Sequence, residues 1–403
     1  MAAGRIDLYD PGVYEREVPH EAFAYLRREA PVYWHPEPTG PGFWAVTRYD
    51  DVVAVSRDAV TYSSHVGTVL LNDQDPQSLA QQQLMMLNQD PPSHTRLRSL
   101  VNRGFTPRMI ARLHERVRAL CAELVDELAA KGTSDFVHDV AAQLPLAVIA
   151  DLLGAPAKDR DQIFEWSNRM IGFDDPEFQT SPDDGRTAAF EMFAYANEVG
   201  RQRREEPRDD IVTKLIQPDD RGDVLDELEF DMFFLLLAVA GNETTRNAIA
   251  HGMNAFLEHP DQWDLLKSDV DAHIKGATEE ILRWASPVMY FRRNATKDFK
   301  LRGQTIKAGE KISLWYISGN RDEDIWADPF TFDITRDPNP HIAFGGGGPH
   351  FCLGSQLARM EIHVLFEELA KRVPRVEQLG APEPLRSNFI GGIKHLPVRF
   401  HEG

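Results

Sequence analysis

Cysteine is nearly absent from this chain: Cys121 and Cys352 are the only two in 403 residues. Two thiols so far apart make no disulfide scaffold, and a reducing, cytoplasmic setting suits the chain best. Long apolar runs are also missing. The longest, residues 232–241 (MFFLLLAVAG), is too short to span a bilayer, and the opening MAAGRIDLYDPGVYE has no apolar signal-peptide core. Positive charge is outnumbered, with 44 Lys and Arg against 63 Asp and Glu, net −19. That balance favours solubility and disfavours nucleic-acid binding. No repeat or low-complexity linker interrupts the chain and prolines are scattered, so residues 1–403 are expected to form one domain.

What is present reads as mainly α with a minor β portion. SHTRLRSLVNRGF, PRMIARLHERVRALCAELVDELAA and LPLAVIADLLGA repeat apolar residues three and four apart, as helices do. DELEFDMFFLLLAVAGNETTRNAIAHGMNAFLEHPDQW predicts a long, mostly buried helix ending near Pro260. ATEEILRWAS predicts a helix stopped before Pro287, and LARMEIHVLFEELAKRV another directly after Cys352. GFWAVTRYDDVVAVSR holds a strand and then a helix. FKLRGQTIKAGEKISLWY reads as a hairpin pair with turns at Gly303 and Gly309, and GGIKHLPVRF closes the chain as strand.

The scarce thiol at Cys352 follows four consecutive glycines in FGGGGPHFCLG, residues 344–354. A lone thiolate lacks the company a zinc site needs, because Cys121 lies in an amphipathic helix and offers no CxxC partner. One thiolate on one metal is what haem iron requires, since the porphyrin fills the equatorial positions. Glycines permit close approach of backbone to a macrocycle. The amides opening the following helix favour a charged sulfur. The plainer alternative is a glycine-rich turn with a buried free cysteine. A phosphate-binding loop is disfavoured, since no Lys follows the glycines and no clear strand precedes them.

FGGGGPHFCLG resembles the haem-binding signature of the cytochrome P-450 monooxygenases, F-G-x-G-x-[HR]-x-C-x-G. The resemblance implies the P-450 fold, with haem b between a long distal helix and the helix of a proximal cysteine loop. It implies Cys352 as axial ligand, His350 near a propionate, Phe344 near the sulfur, and Gly346, Gly348 and Gly354 in the haem-binding loop. Phe344 stands eight residues before Cys352, one more than is usual, so the loop carries an extra glycine. AGNETT, residues 240–245, resembles the family's oxygen-activation motif. There Ala240 and Gly241 leave space for dioxygen, and Glu243 and Thr244 supply protons for its cleavage. The local alternative is a capping box in which Asn242 starts a second helix, although apolar spacing continues through Leu237, Ala240, Thr244 and Ala248.

Glu280 and Arg283 in EEILR sit three apart, a spacing shared by ordinary surface salt bridges. The resemblance makes them a structural pair completed by Arg336 in DPFTFDITR. It also assigns His94 and Arg98 of HTRLR, together with Arg293 of FRRNA, to the haem propionates; neighbouring Arg292 is the alternative to Arg293. An ordinary basic helix face is the other reading of these residues.

The resemblance runs from GFWAVTRYDDV to GGIKHLPVRF, and no reductase region is appended, so electrons are expected from ferredoxin and ferredoxin reductase. Between Pro91 and His114 stand Arg96, Arg98, Arg103, Arg108 and Arg112 with no acid. This is either a solvated helix face or a docking patch for an acidic ferredoxin. Candidate substrate contacts are apolar: Val66, Val69, Leu70, Met85, Met86, Phe234, Leu237, Val288, Met289, Phe291 and Phe389. MLNQDPPSHTRLR, RGFTPR, the AGNETT helix and the longer glycine loop are similar to those of actinobacterial cholesterol side-chain hydroxylases. That implies oxidation of a terminal methyl of a steroid such as cholest-4-en-3-one. A terpene, isoprenoid or branched-lipid hydroxylase is the alternative. A haem-thiolate sensor or peroxide-using enzyme is an alternative of another class, against which the Glu243–Thr244 pair argues.

Overall fold

The structure, a computed structural model, describes residues 6–104, 107–172, 174–178, 181, 183–219 and 221–401; the side chains of Pro107, Arg108 and Ala157 also lie outside the description. Its axis is the helix Glu227–Glu258. This helix begins at a capping box: Asp226 accepts from the Glu229 amide at 2.8 Å, and Glu229 accepts from the Asp226 amide at 3.1 Å. It runs unbroken through AGNETT, as the continuing apolar spacing implied, so the alternative of a capping box at Asn242 is not realised. The chain leaves the helix at His259, and Pro260 opens the next one, since proline is tolerated only at a helix start. Helices Gln143–Leu152, Arg160–Ile171 and Asp184–Glu205 pack on the axis, as do Val270–Ala285 and Ser355–Arg372. The largest apolar core surrounds it. Among the described residues no helix is long and apolar enough to cross a membrane.

The largest part of the β portion is a five-stranded sheet beside this helical body, with three smaller sheets among the described residues. Its order is Val32–His35, Phe43–Val46, Lys311–Trp315, Tyr290–Ala295, Tyr62–Ser63. Phe299–Leu301 and Gln304–Ile306 form the expected hairpin, turning through Arg302 at φ 46° and Gly303 at φ 83°. The strand after Gly309 does not extend it. Lys311–Trp315 pairs antiparallel with Tyr290–Ala295 and parallel with Phe43–Val46. The reason is burial: every residue of KISLW is buried, so the strand needs a partner on each edge.

Glu280 and Arg283 are not a surface pair. Both side chains are fully buried, 2.7 Å apart. Such a pair is tolerated only when the remaining donors and acceptors are matched. Here Arg283 also donates to the carbonyls of Asn320, Pro329 and Thr331. Glu280 accepts from the Asp333 amide and from Asn339, and Arg336 Nε lies 3.5 Å from it. The cluster therefore fixes residues 320–339, which lead directly into the glycine loop.

Candidate active site

One large cavity separates the middle of the Glu227–Glu258 helix from the start of the Ser355–Arg372 helix. It encloses about 1420 Å³ of unfilled space, part of it open to solvent. The central helix lines it with Phe233, Leu236, Leu237, Ala240, Gly241, Thr244, Thr245 and Ala248, one stripe of a 3.6-residue period. The opposite wall is Phe344, Gly345, His350, Cys352, Leu353 and Gly354, with Leu357, Ala358 and Glu361 of the next helix. His94, Arg98, Val288, Phe291 and Tyr316 close the sides.

Cys352 is held by its own loop. Its amide donates to the Phe344 carbonyl at 3.1 Å, which keeps the aromatic residue beside the thiol despite the extra glycine. Arg359 stacks on the Phe344 ring at 4.5 Å and is fixed by a two-pronged bond to Glu279. Burial raises the Cys352 pKa, and the Gly354 amide and the guanidinium groups of Arg98 and Arg359 act in the opposite direction. Two of the expected haem-loop glycines have another job. A Cβ at Gly346 would meet Val53 Cα and Ser56 Oγ at 2.8 Å, and one at Gly348 (φ 79°) would meet the Ser56 carbonyl at 2.5 Å. These glycines admit the helix Tyr49–Arg57, and neither lines the cavity. Gly345 and Gly354 do line it, with nothing within 4 Å of the position their side chains would take.

Positive groups converge on one side of the cavity. The rings of His94 and His350 lie 4.2 Å apart. Arg98 reaches the Phe351 carbonyl at 2.8 Å, and Arg293 is close enough to lower the basicity of both histidines. Burial followed by Arg293, His94 and Arg98 presses His350 down to about 2. His94 Nδ1 is buried without a partner. A buried cationic cluster with an orphaned ring nitrogen calls for an anion. The carboxylates of a haem would match these donors, Cys352 would offer its iron a thiolate, and Gly345 and Gly354 would admit its macrocycle, so the residues fit the group. Arg292 turns elsewhere, to Asp73.

On the central helix, Thr244 lines the cavity and its hydroxyl donates back to the Ala240 carbonyl at 2.8 Å. Such back-bonding loosens the helical ladder locally. Glu243 does not line the cavity. It is fully buried on the adjacent face and ion-paired with Arg246, which in turn donates to Asn168 at 2.9 Å. Burial raises the Glu243 pKa, while Arg246 opposes the rise. Gly241 leaves less free space than expected: Ile149 Cδ1 occupies it, 2.3 Å from where a Cβ would stand.

Of the expected substrate contacts, Met86, Leu237, Val288 and Phe291 line the cavity. Phe234 does not; one position off the stripe, it packs on Phe230 and Tyr195. Val66 is exposed, and Met85 packs against the helical core. Val69, Met289 and Phe389 belong to the neighbouring core beneath the sheet, and Leu70 offers its carbonyl to Arg292. Sequence reasoning missed Phe233, Leu236 and Ile149. Helical phase points to the first two, whereas only tertiary packing brings in the third.

Two residues of the arginine stretch are paired with acids in space. Arg96 pairs with Asp223 and Glu229, Arg112 with Asp209, and Arg103 donates to the carbonyls of Gln217 and Pro218. Arg98 serves the cavity, and Arg108 lies outside the described side chains.

Known proteins agree with this geometry. The family description Cytochrome P450 matches residues 12–373. A steroid C26-monooxygenase of Rhodococcus jostii is 45% identical over 403 residues, covering 98% of this chain and 84% of its own. A methyl-branched lipid omega-hydroxylase of Mycobacterium tuberculosis is 46% identical over 386 residues, covering 94% of this chain and 90% of its own. Among solved structures, a Mycobacterium marinum cytochrome P450 in complex with pseudoionone superposes with a TM-score of 0.91 at 38% identity, covering 98% of this chain and 99% of its own. The chain belongs to the cytochrome P450 family, as a haem-thiolate monooxygenase.

Proposed function

We propose that this monooxygenase hydroxylates a terminal methyl of a steroid side chain, with a cholest-4-en-3-one-like steroid as its substrate class. The observation that carries this reading is the stripe of the central helix facing the cavity, where Thr244 and Thr245 are the only hydroxyl-bearing residues among apolar ones. Such a wall selects an elongated hydrophobe by shape. The names of the similar proteins, a steroid C26-monooxygenase and a methyl-branched lipid omega-hydroxylase, point to the same chain-end chemistry. A second reading, an isoprenoid substrate, is favoured by the pseudoionone complex.

In this reading Cys352 would supply the thiolate that ligates haem iron, and His94, Arg98, Arg293 and His350 would hold its propionates. Bound haem supplies dioxygen activation and oxygen insertion into a C–H bond. Thr244 holds a proton donor at the cavity wall, and Glu243 feeds it from the adjacent helix face by exchanging Arg246 for solvent. The apolar wall excludes other water, which keeps that proton supply selective. The presence of the acid–threonine pair supports dioxygen chemistry over a sensor or a peroxide-driven enzyme. Electrons come from ferredoxin and its reductase, in the cytoplasm, to a single domain spanning residues 1–403.

The test is titration of the purified haem protein with cholest-4-en-3-one, a methyl-branched fatty acid and an isoprenoid ketone. The expected result is a low-to-high spin shift that is tightest with the steroid, and a chain-end alcohol on turnover with ferredoxin, its reductase and NAD(P)H. Absence of any shift with the steroid overturns the assignment.

A further inference from the structure

Arg292 is buried and lies outside the cationic cluster. Its Nε donates to Asn294 Oδ1 at 3.1 Å, and its other bonds go to one unbroken run of chain. The Arg292 amide donates to the Thr68 carbonyl at 2.7 Å, and the Tyr290 hydroxyl to the Val69 carbonyl at 2.8 Å. Arg292 Nη1 reaches the carbonyls of Leu70, Leu71 and Asn72 at 3.3, 3.3 and 3.0 Å. Nη2 pairs with Asp73 at 2.8 Å. Five consecutive carbonyls, residues 68–72, and the next carboxylate are thus gripped by two residues of one strand. Gly67 makes room, since a Cβ there would stand 3.3 Å from Arg292 Cζ.

The gripped run has no regular structure of its own, so these bonds, rather than a ladder, fix its path. Its position is passed on. The Thr68 hydroxyl donates to Asn88 Oδ1 at 3.2 Å, and His65 Nδ1 lies 3.3 Å from the Asn88 carbonyl. Asn88 ends the short turn Met86–Asn88, whose Met86 and Leu87 line the cavity. The strand that grips also supplies Phe291 to the cavity, with Val288 just before it. Two walls are therefore linked through this strand: the Arg292 amide holds Thr68, and the Arg292 guanidinium holds residues 70–73 directly beyond it.

We propose that Arg292 is a positioning residue that sets the width of the substrate cavity by fixing residues 68–73 and, through Thr68 and Asn88, the Met86–Asn88 turn. Lysine cannot replace it: one ammonium cannot reach three carbonyls and a carboxylate at once, as a planar fork can. The proposal rests on reading the cavity as the substrate site, and binding of the steroid by the unaltered protein tests that reading separately.

The experiment compares Arg292→Lys with the unaltered haem protein in two measurements. Amide hydrogen exchange over residues 66–88 is expected to speed up by about tenfold or more, while exchange in the central helix stays the same. Spectral titration is expected to weaken cholest-4-en-3-one binding by about tenfold but imidazole binding by less than about twofold, because imidazole does not span both walls. The rise is expected in KM, with little change in kcat. A double variant, Tyr290→Phe with Asp73→Asn, retains Arg292 and loosens the same run from both ends; it gives the same pattern at smaller size and serves if Arg292→Lys does not fold. Unchanged exchange over residues 66–88, or equal weakening of both ligands, overturns the proposal.

Discussion

At the scale of the residue, the acid–threonine pair divides into two different situations one position apart. Thr244 opens on the cavity, while Glu243 is 0% exposed and ion-paired with Arg246, itself 4% exposed. Removing one partner leaves the other charge buried without compensation. Glu243→Gln is therefore expected to lower stability by about 3–5 kcal/mol, read by denaturant unfolding. Glu243→Leu combined with Arg246→Met is expected to recover most of that loss. Thr244→Ala removes no charge and leaves stability near that of the unaltered protein. It is expected to retain the substrate-induced spin shift yet lower product formed per NAD(P)H by about a hundredfold, with Thr244→Ser restoring it. If Thr244→Ala keeps full coupling, the hydroxyl has no part in proton supply. The identity of this pair was legible in AGNETT, and its burial was not, because the side chains that hold Arg246, the partner of Glu243, come from the helix Arg160–Ile171 and the segment after it.

At the scale of the element, helical phase decides which side chains do chemistry and which hold the fold. Phe233 faces the cavity and Phe234 faces Phe230 and Tyr195. Phe234→Ala is expected to cost about 3–5 kcal/mol of stability and leave ligand preference alone. Phe233→Ala is expected to change the steroid dissociation constant by about tenfold at a smaller stability cost. Spectral titrations beside unfolding curves separate the two. The helices were legible because their apolar periods are long, yet an apolar run such as FFLLL hides the phase that separates core from pocket. Between elements, Glu279 joins the helix Val270–Ala285 to the cysteine helix. Burial disfavours its charge, but bonds from His341 at 2.8 Å and Arg359 at 2.7 and 2.9 Å outweigh that and hold it at about 2. A carboxylate with a depressed folded pKa adds stability above its unfolded value, near 4.5, and loses it as pH falls toward 2. The melting temperature of the unaltered protein should therefore fall between pH 4.5 and 2 more steeply than that of Glu279→Gln. Parallel acid limbs would show that the link contributes nothing.

At the scale of the whole molecule, the order of the motifs carried more than any one of them. His94 and Cys352 stand 258 positions apart, and the fold sets them on one cavity with Thr244. No local pattern states that meeting; the recurrence of several short motifs in a known order does. Charge is the counterexample, because it was read along the chain and is balanced across it. Residues 91–114 contain five arginines and no acid, but the acids lie elsewhere in sequence, at Asp209, Asp223 and Glu229, and fold back onto Arg112 and Arg96. Both side chains of the Arg112–Asp209 pair are about half exposed, so the pair adds little stability and mainly cancels field. Lys214 also lies 3.7 Å from Asp209, and the encounter rate of an acidic redox partner with such a surface depends on net potential rather than on a count of arginines. Arg112→Gln combined with Asp209→Asn leaves the local net charge unchanged and is accordingly expected to change the rate of reduction by ferredoxin by less than about twofold and to leave its ionic-strength dependence as it was. Stopped-flow reduction of the haem protein at several salt concentrations measures both. A drop of about tenfold or more that flattens with salt would show that Arg112 leaves Asp209 to meet the partner, and the arginine stretch would regain the docking role that its sequence suggests.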